Sequence, residues 1–242
     1  MLPDFSYSDP SVLAFVVIPF ALATALVVAV AYAWRRAGEP AAATARATLL
    51  MAGGTAIWMG LTLVLADRGT FRQWDRIPPS IAMLALLIVL ISARLAMGGV
   101  GRRLSEHIPL WILVGVQGFR FPLELAMHTM AERGIMPEQM TYTGRNFDIV
   151  TGITAIVVAA LVAMGRGGRS LVLAWNVIGL ALLLNIVGVA LVSTPIFAFF
   201  GPERLNTWIT YPPFVWLPAV MVLAALLGHL VIFRAALRPR PR

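Results

Sequence analysis

The chain has 242 residues, of which 60% are hydrophobic and 12% are charged, and its formal net charge is +8. A soluble domain carries roughly 25% charged residues, so this composition predicts a membrane protein and excludes an ordinary soluble domain. The basic residues lie in short segments between apolar stretches and form no basic face, which excludes nucleic acid as a partner.

Long apolar stretches recur along the whole chain. A bilayer core about 30 Å thick requires roughly 20 apolar residues per helix, and little sequence remains outside such stretches. We therefore predict an all-α fold: residues 1–242 form a single transmembrane domain, an integral membrane bundle of about seven transmembrane helices surrounded by the lipid bilayer. The predicted helices cover about 11–34, 47–66, 79–100, 107–131, 148–165, 170–194 and 213–236.

The distribution of arginine predicts the orientation of the bundle. Arginine is more frequent in the segments after the first, third and fifth helices and in the C-terminal tail, and the N-terminal segment before the first helix contains no basic residue. Because positive charge favours the cytoplasmic side, we expect the N-terminus outside and the C-terminus in the cytoplasm. The cytoplasmic set is Arg35, Arg36, Arg46, Arg102, Arg103, Arg166, Arg169, Arg234, Arg238, Arg240 and Arg242, and the outer set is Arg68, Arg72, Arg76, Arg133, Arg145 and Arg204.

The first two predicted helices contain few polar residues. In the second, Gly53, Gly54 and Gly60 are small residues of the kind that allow helix backbones to approach closely, so we expect them to pack against a neighbouring helix. The whole chain contains no lysine, which excludes the Schiff base that retinal requires, and no cysteine, which excludes disulfides and thiolate metal sites.

The fourth predicted helix contains four polar side chains on one face: Gln117, Arg120, Glu124 and His128. At 100° per residue these positions fall within an arc of roughly 80°. An ionisable group at the centre of a membrane-spanning helix costs about 2.5–3.5 kcal/mol by insertion scales. Such a row of side chains therefore needs partners or a function.

Further polar residues begin the fifth predicted helix, at the same outer side of the membrane. Together the two helices predict an outward-facing pocket between helices four and five that binds a small polar or anionic ligand or a lipid headgroup. The predicted ligand-binding residues are Gln117, Arg120, Glu124, His128, Arg145, Asn146 and Asp148.

Three other interpretations of the same residues stay open. Arg120 and Glu124, four residues apart, could form a purely structural ion pair. Glu124, His128 and Asp148 could bind a metal ion in a membrane-embedded metal-dependent enzyme. The chain could also be an accessory subunit of a larger membrane complex, or a homo-oligomer. A haem bound by two histidines is disfavoured, because the helix rise places His229 near the inner face, roughly 20 Å from His128.

Three stretches carry a resemblance to a known family: MTYTGRNFDIVTGITA, WNVIGLALLLNIV and PFVWLPAVMVLAALLGHL. They resemble an uncharacterised family of small bacterial polytopic membrane proteins, over helices four to seven and about half of the chain. The resemblance implies a bacterial inner-membrane protein and implies no activity.

Overall fold

The computed structural model describes residues 5–238, and within that range every regular element is helical. Asp9 caps the first helix by accepting a hydrogen bond from the backbone N–H of Ser11 at 2.9 Å, and Pro10 occupies the first helical position. The α-helices are α1 (Pro10–Arg36), α2 (Ala41–Asp67), α3 (Ser80–Met97), α4 (Gly99–His107), α5 (Leu110–Val116), α6 (Arg120–Glu132), α7 (Asp148–Ala163), α8 (Arg169–Val192) and α9 (Leu223–Ala236).

Six helical segments of the described range are long and apolar enough to cross a membrane. The predicted fifth helix corresponds to α7, which is apolar but has only 16 residues. The predicted third helix ends earlier than expected, because the chain turns at Gly98 and continues as the separate helix α4. The six segments are Pro10–Arg36, Ala41–Asp67, Ser80–Met97, Leu110–Glu132, Arg169–Val192 and Leu217–Ala236.

The predicted fourth helix is built from three pieces. A 3₁₀ segment, Gln117–Phe119, joins α5 to α6. Pro122 has no N–H to donate to the carbonyl four residues earlier, which belongs to this 3₁₀ segment. The chain therefore passes through the middle of this span with an altered helical twist, directly before Arg120.

The last span begins with a π-helix, Leu217–Val222, that continues without interruption into α9. Neighbouring helices donate hydrogen bonds to carbonyls in this region: Trp58 Nε1 to Ala219 at 2.8 Å, and Ser92 Oγ to Leu223 at 3.3 Å. These bonds attach α2 and α3 to the last span. Half of that span is buried inside the protein, a larger share than in any other of the six, so it lies at the centre of the bundle.

The second helix lies at the periphery. Its span is only 17% buried, and a Cβ atom built on Gly53, Gly54 or Gly60 would meet no atom within 4 Å. The predicted packing role of these glycines is therefore wrong within this chain, since they face open space.

Candidate functional site

Arg120 is the centre of a buried polar network. Its side chain is 1% exposed; Nη1 donates to Asp148 Oδ1 at 3.0 Å and Nη2 donates to His229 Nε2 at 3.0 Å. One guanidinium thus connects α6, α7 and α9. Arg120 forms its ion pair with Asp148, and not with Glu124 as one interpretation of the sequence had it.

The hydrogen bonds of His229 define its tautomer. A guanidinium can only donate, so the Nε2 atom that faces Arg120 must be the acceptor and the proton lies on Nδ1. Nδ1 lies 2.7 Å from Asn176 Oδ1, which accepts this proton, and Asn176 Nδ2 donates to the carbonyl of His229 at 3.0 Å. His229 is therefore a neutral imidazole with a fixed orientation, and Asn176 attaches α8 to α9.

Glu124 has a different and weaker set of partners. Its carboxylate is 2% exposed, and both of its oxygens accept from Asn146 Nδ2, at 2.7 and 2.8 Å. The same amide also donates to the Met140 carbonyl at 3.1 Å, while Asn146 Oδ1 accepts from the backbone N–H of Asp148. A carboxylate can accept about four hydrogen bonds, so Glu124 has acceptor capacity that its amide partner does not use.

A cavity of about 240 Å³ lies beside this carboxylate. Its polar wall consists of Arg120, Glu124, Asn146, Asp148 and Thr194, and most of the remaining wall is hydrocarbon from α3, α6, α8 and the last span. We call it the Glu124 cavity. The cavity therefore suits a ligand with a small polar head and a long apolar body.

The Glu124 cavity opens sideways, between α3 and α8. Its well-exposed lining residues belong to these two helices, for example Val89 at 51% and Leu184 at 59% exposure. At the end of the bundle that follows α6, the loop around Gln139 closes the interior, because Gln139 Nε2 donates to Ser193 Oγ at 3.2 Å and to the Arg204 carbonyl at 2.7 Å. The cavity thus differs from the outward-facing pocket that the sequence predicted between the fourth and fifth helices.

Four of the seven predicted site residues meet at this cavity: Arg120, Glu124, Asn146 and Asp148. The other three lie elsewhere. Gln117 donates to the Ala225 carbonyl at 3.3 Å and borders a second cavity, and the Arg145 guanidinium lies 5.2 Å from the centre of the Phe200 ring.

His128 lies apart from the buried network, near the C-terminal end of α6, where its side chain is partly exposed. Its Nδ1 is 3.5 Å from Thr143 Oγ1, its Nε2 is 3.5 Å from Glu132, and its ring stacks 4.6 Å from Tyr142. Between residues 5 and 238, no group of three or more His, Cys, Asp or Glu side chains is arranged to hold a metal ion. The alternative metal site of Glu124, His128 and Asp148 is thus not assembled there.

Two residues of the network, His229 and Asn176, were not among the predicted site residues, although each was expected to form hydrogen bonds between helices. The sequence placed His229 near the inner face, because depth was counted from residue 213, whereas the last span begins at Leu217 and the preceding residues form a turn. A signal was present in the composition of the helices. Asn176, His229 and Arg120 are isolated polar residues in apolar stretches, and isolated polar groups at membrane depth pair with one another.

These features define a class of protein: an all-α bundle of long apolar helices around a buried, charged, hydrogen-bonded network with an adjoining lateral cavity. The chain belongs to the family described as a domain of unknown function (DUF8737), whose model matches residues 77–237. No curated protein and no solved structure matches the chain. The matched residues contain the whole polar network and every residue that lines the Glu124 cavity, and they exclude α1 and α2.

Proposed function

We propose that this chain is a multi-pass protein of the bacterial cytoplasmic membrane. It is a single transmembrane domain of seven helices, with its N-terminus outside and its C-terminus in the cytoplasm. The six apolar spans and the arginine distribution support this proposal, although Arg240 and Arg242 lie outside the described residues. The seventh helix is α7, whose 16 residues rise about 24 Å and whose first residue, Asp148, is already buried.

We further propose that the Glu124 cavity binds one largely apolar molecule whose small head donates hydrogen bonds or carries positive charge, such as a lipid amine. The observation that carries this proposal is the Glu124 carboxylate, buried at the polar wall with a single amide as its side-chain partner among residues 5–238.

The charges of the network favour a cationic over an anionic head. The terminal nitrogens of Arg120 already bond to Asp148 and His229, which leaves Nε as the guanidinium nitrogen without a hydrogen-bond partner among residues 5–238. An ionised Glu124 gives the network one net negative charge, because Arg120 offsets the charge of Asp148 and His229 is neutral. An uncompensated buried charge is costly, and a cationic or strongly donating head at Glu124 removes that cost.

The apolar wall and the lateral opening favour a ligand that arrives from the membrane. Ligand sites are typically lined by hydrocarbon with a few placed polar groups, and the Glu124 cavity has this composition. Because the opening lies between two helices that are apolar enough to span a bilayer, the hydrocarbon chain of a lipid can enter without leaving the apolar phase.

The test is binding of dodecylamine to the full chain in detergent micelles, counted by native mass spectrometry. We expect one dodecylamine bound per chain, and we expect Glu124→Gln to weaken binding by about tenfold or more, as the loss of a charged hydrogen bond predicts. The matched control is Glu132→Gln, which removes a carboxylate from the same helix where the side chain is 65% exposed. It should leave the affinity unchanged within about twofold.

Two results would contradict this proposal. One is unchanged dodecylamine binding by the Glu124→Gln variant. The other is tighter binding of dodecanoate than of dodecylamine, which would restore the anionic ligand with Arg120 as its anchor.

A further inference from the structure

A second and larger cavity lies on the opposite face of the last span. It measures about 600 Å³ and is bounded by α1, α2, α3, α4, α5 and the last span. Its wall contains no charged residue; Gln117 and Thr55 supply its polar side chains, apart from the indoles of Trp34 and Trp58. We call it the Gln117 cavity. Its volume falls within the roughly 300–1,000 Å³ that is typical of small-molecule sites.

Gln117 brings an unused hydrogen-bond acceptor to this cavity. The residue is 1% exposed; Nε2 donates to the Ala225 carbonyl at 3.3 Å, whereas Oε1 is buried and has no hydrogen-bond partner among residues 5–238. Exchanging the two atoms would place two acceptors against each other, so the Ala225 carbonyl fixes the amide orientation. A buried acceptor without a partner is costly, and a bound ligand would satisfy it.

The surroundings hold the amide in this position. A Cβ atom at residue 228 would lie 2.0 Å from Gln117 Nε2, so Gly228 is required for the amide to fit beside α9. On the other side of the cavity, Gly54 lines the wall and a Cβ atom built on it would meet nothing within 4 Å. The cavity thus has one rigid polar point and one open apolar wall along α2.

We propose that the Gln117 cavity binds an apolar alcohol, whose hydroxyl donates to Gln117 Oε1 and whose hydrocarbon chain lies along α2 beside Gly54. The hydroxyl is the donor that fits, because the wall offers no carboxylate to balance the charge of an ammonium. A plain hydrocarbon would leave Oε1 unpaired. A water molecule would need two to four polar partners, which this largely apolar wall does not provide.

The test compares two photoactivatable probes on the full chain in phosphatidylcholine nanodiscs. One is a dodecanol with a diazirine on its chain, and the other is the methyl ether of the same molecule, which has the same apolar body but no donor. Mass spectrometry measures labelling of the α2 segment that contains Met51 and Trp58, both on the cavity wall. We expect the alcohol to label this segment about fivefold more than the ether, the effect of one net hydrogen bond.

Three variants test separately the contributions of the Gln117 acceptor and of the apolar wall along α2. Gln117→Leu removes the acceptor and should reduce alcohol labelling to the level of the ether. Gly54→Leu places a branched side chain in the cavity at the α2 wall and should reduce labelling by both probes. Gly53→Leu adds the same side chain one residue earlier, where it also meets open space but does not line the cavity, and it should label like the wild type.

The proposal is overturned if the wild type is labelled equally by alcohol and ether, because bilayer hydrocarbon alone would then fill the cavity. It is also overturned if the Gly54→Leu variant is labelled like the Gly53→Leu variant. This second comparison remains informative even where Gln117→Leu reduces the yield of folded protein. Neither result depends on Glu124 or on the ligand of the Glu124 cavity.

Discussion

Two apolar helices of this bundle, α2 and α7, differ in how many of their residues are buried in the interior. α2 has 27 residues, of which four are buried: Thr44, Met59, Thr62 and Ala66. α7 has 16 residues, of which six are buried, including Asp148, Thr151 and Gly152. The shorter helix therefore contributes more to the interior. Length and hydropathy identify both as helices, but they do not show which helix is central.

The glycines of the two helices show the same contrast. A Cβ atom at Gly152 would lie 2.4 Å from the backbone nitrogen of Phe121, so α7 and α6 approach each other at this point. A Cβ atom at Gly53 or Gly54 would meet nothing within 4 Å. The same residue type thus marks a close contact in one helix and open space in the other.

The buried charged residue of the two helices follows this division. In α2, Thr48 and Thr62 donate to carbonyls of their own helix. In α7, Asp148 accepts from Arg120 of a different helix. The family model matches α7 and excludes α2. We infer that the matched segment contains the specific interior of the bundle, and that α2 covers one side of it.

The largest effect is expected where the interior network is broken, at Arg120. Arg120→Met removes the ion pair with Asp148 and the donor to His229, and we expect a loss of about 3–5 kcal/mol in the free energy of unfolding, as for a buried charge that loses its partner. Unfolding of the purified protein by sodium dodecyl sulfate in mixed micelles measures the change.

The control for this prediction is Arg94→Met, which removes an exposed arginine from α3. It should change the free energy of unfolding by no more than about 0.5 kcal/mol. If the two substitutions lowered the free energy of unfolding equally, the buried network would add no more stability than an exposed arginine does.

A smaller effect is expected at the contact between α6 and α7. Gly152→Ala places a methyl group against the backbone of Arg120 and Phe121, at 3.0 and 2.4 Å, so the two helices must separate. We expect a loss of about 1–3 kcal/mol, the usual cost of overpacking. Gly188→Ala in α8, where a Cβ atom meets nothing within 4 Å, is the matched control in the same unfolding assay. No loss at Gly152 would mean that the α6–α7 contact is looser than the structure describes.

Much of this architecture follows from sequence pattern, because an apolar stretch of about 20 residues is a strong signal. The seven predicted stretches all correspond to apolar helices, and four predicted site residues lie together. Gln117 was assigned to the wrong face because a 3₁₀ segment turns by about 120° per residue in place of 100°, which over three residues rotates it by roughly 60° away from the face of Arg120.

His229 and Asn176 could not be placed by pattern alone. Their contact with Arg120 depends on the relative depths of three helices, and those depths are set by turns and by the π-helix before α9, which apolar composition does not encode. Periodicity assigns residues to a face of one helix, but it does not align that helix with another.

The smallest effect, and the one of opposite sign, is expected in α2. Gly53→Ala adds a methyl group to a helical position that faces open space and reduces the conformational freedom of the unfolded chain. We expect a gain of about 0.5–1 kcal/mol in the free energy of unfolding. The same assay measures it, and Gly60→Ala, at another open position of α2, should behave in the same way.

A loss of stability at both positions would contradict this prediction. It would mean that the glycines of α2 pack closely against something outside the chain, and a second copy of the protein would be the first partner to test by crosslinking in the membrane. In that case α7 would form contacts within a protomer, whereas α2 would form contacts between protomers. A gain at both positions keeps α2 at the periphery of the bundle, where these two glycines make no close contact with residues 5–238.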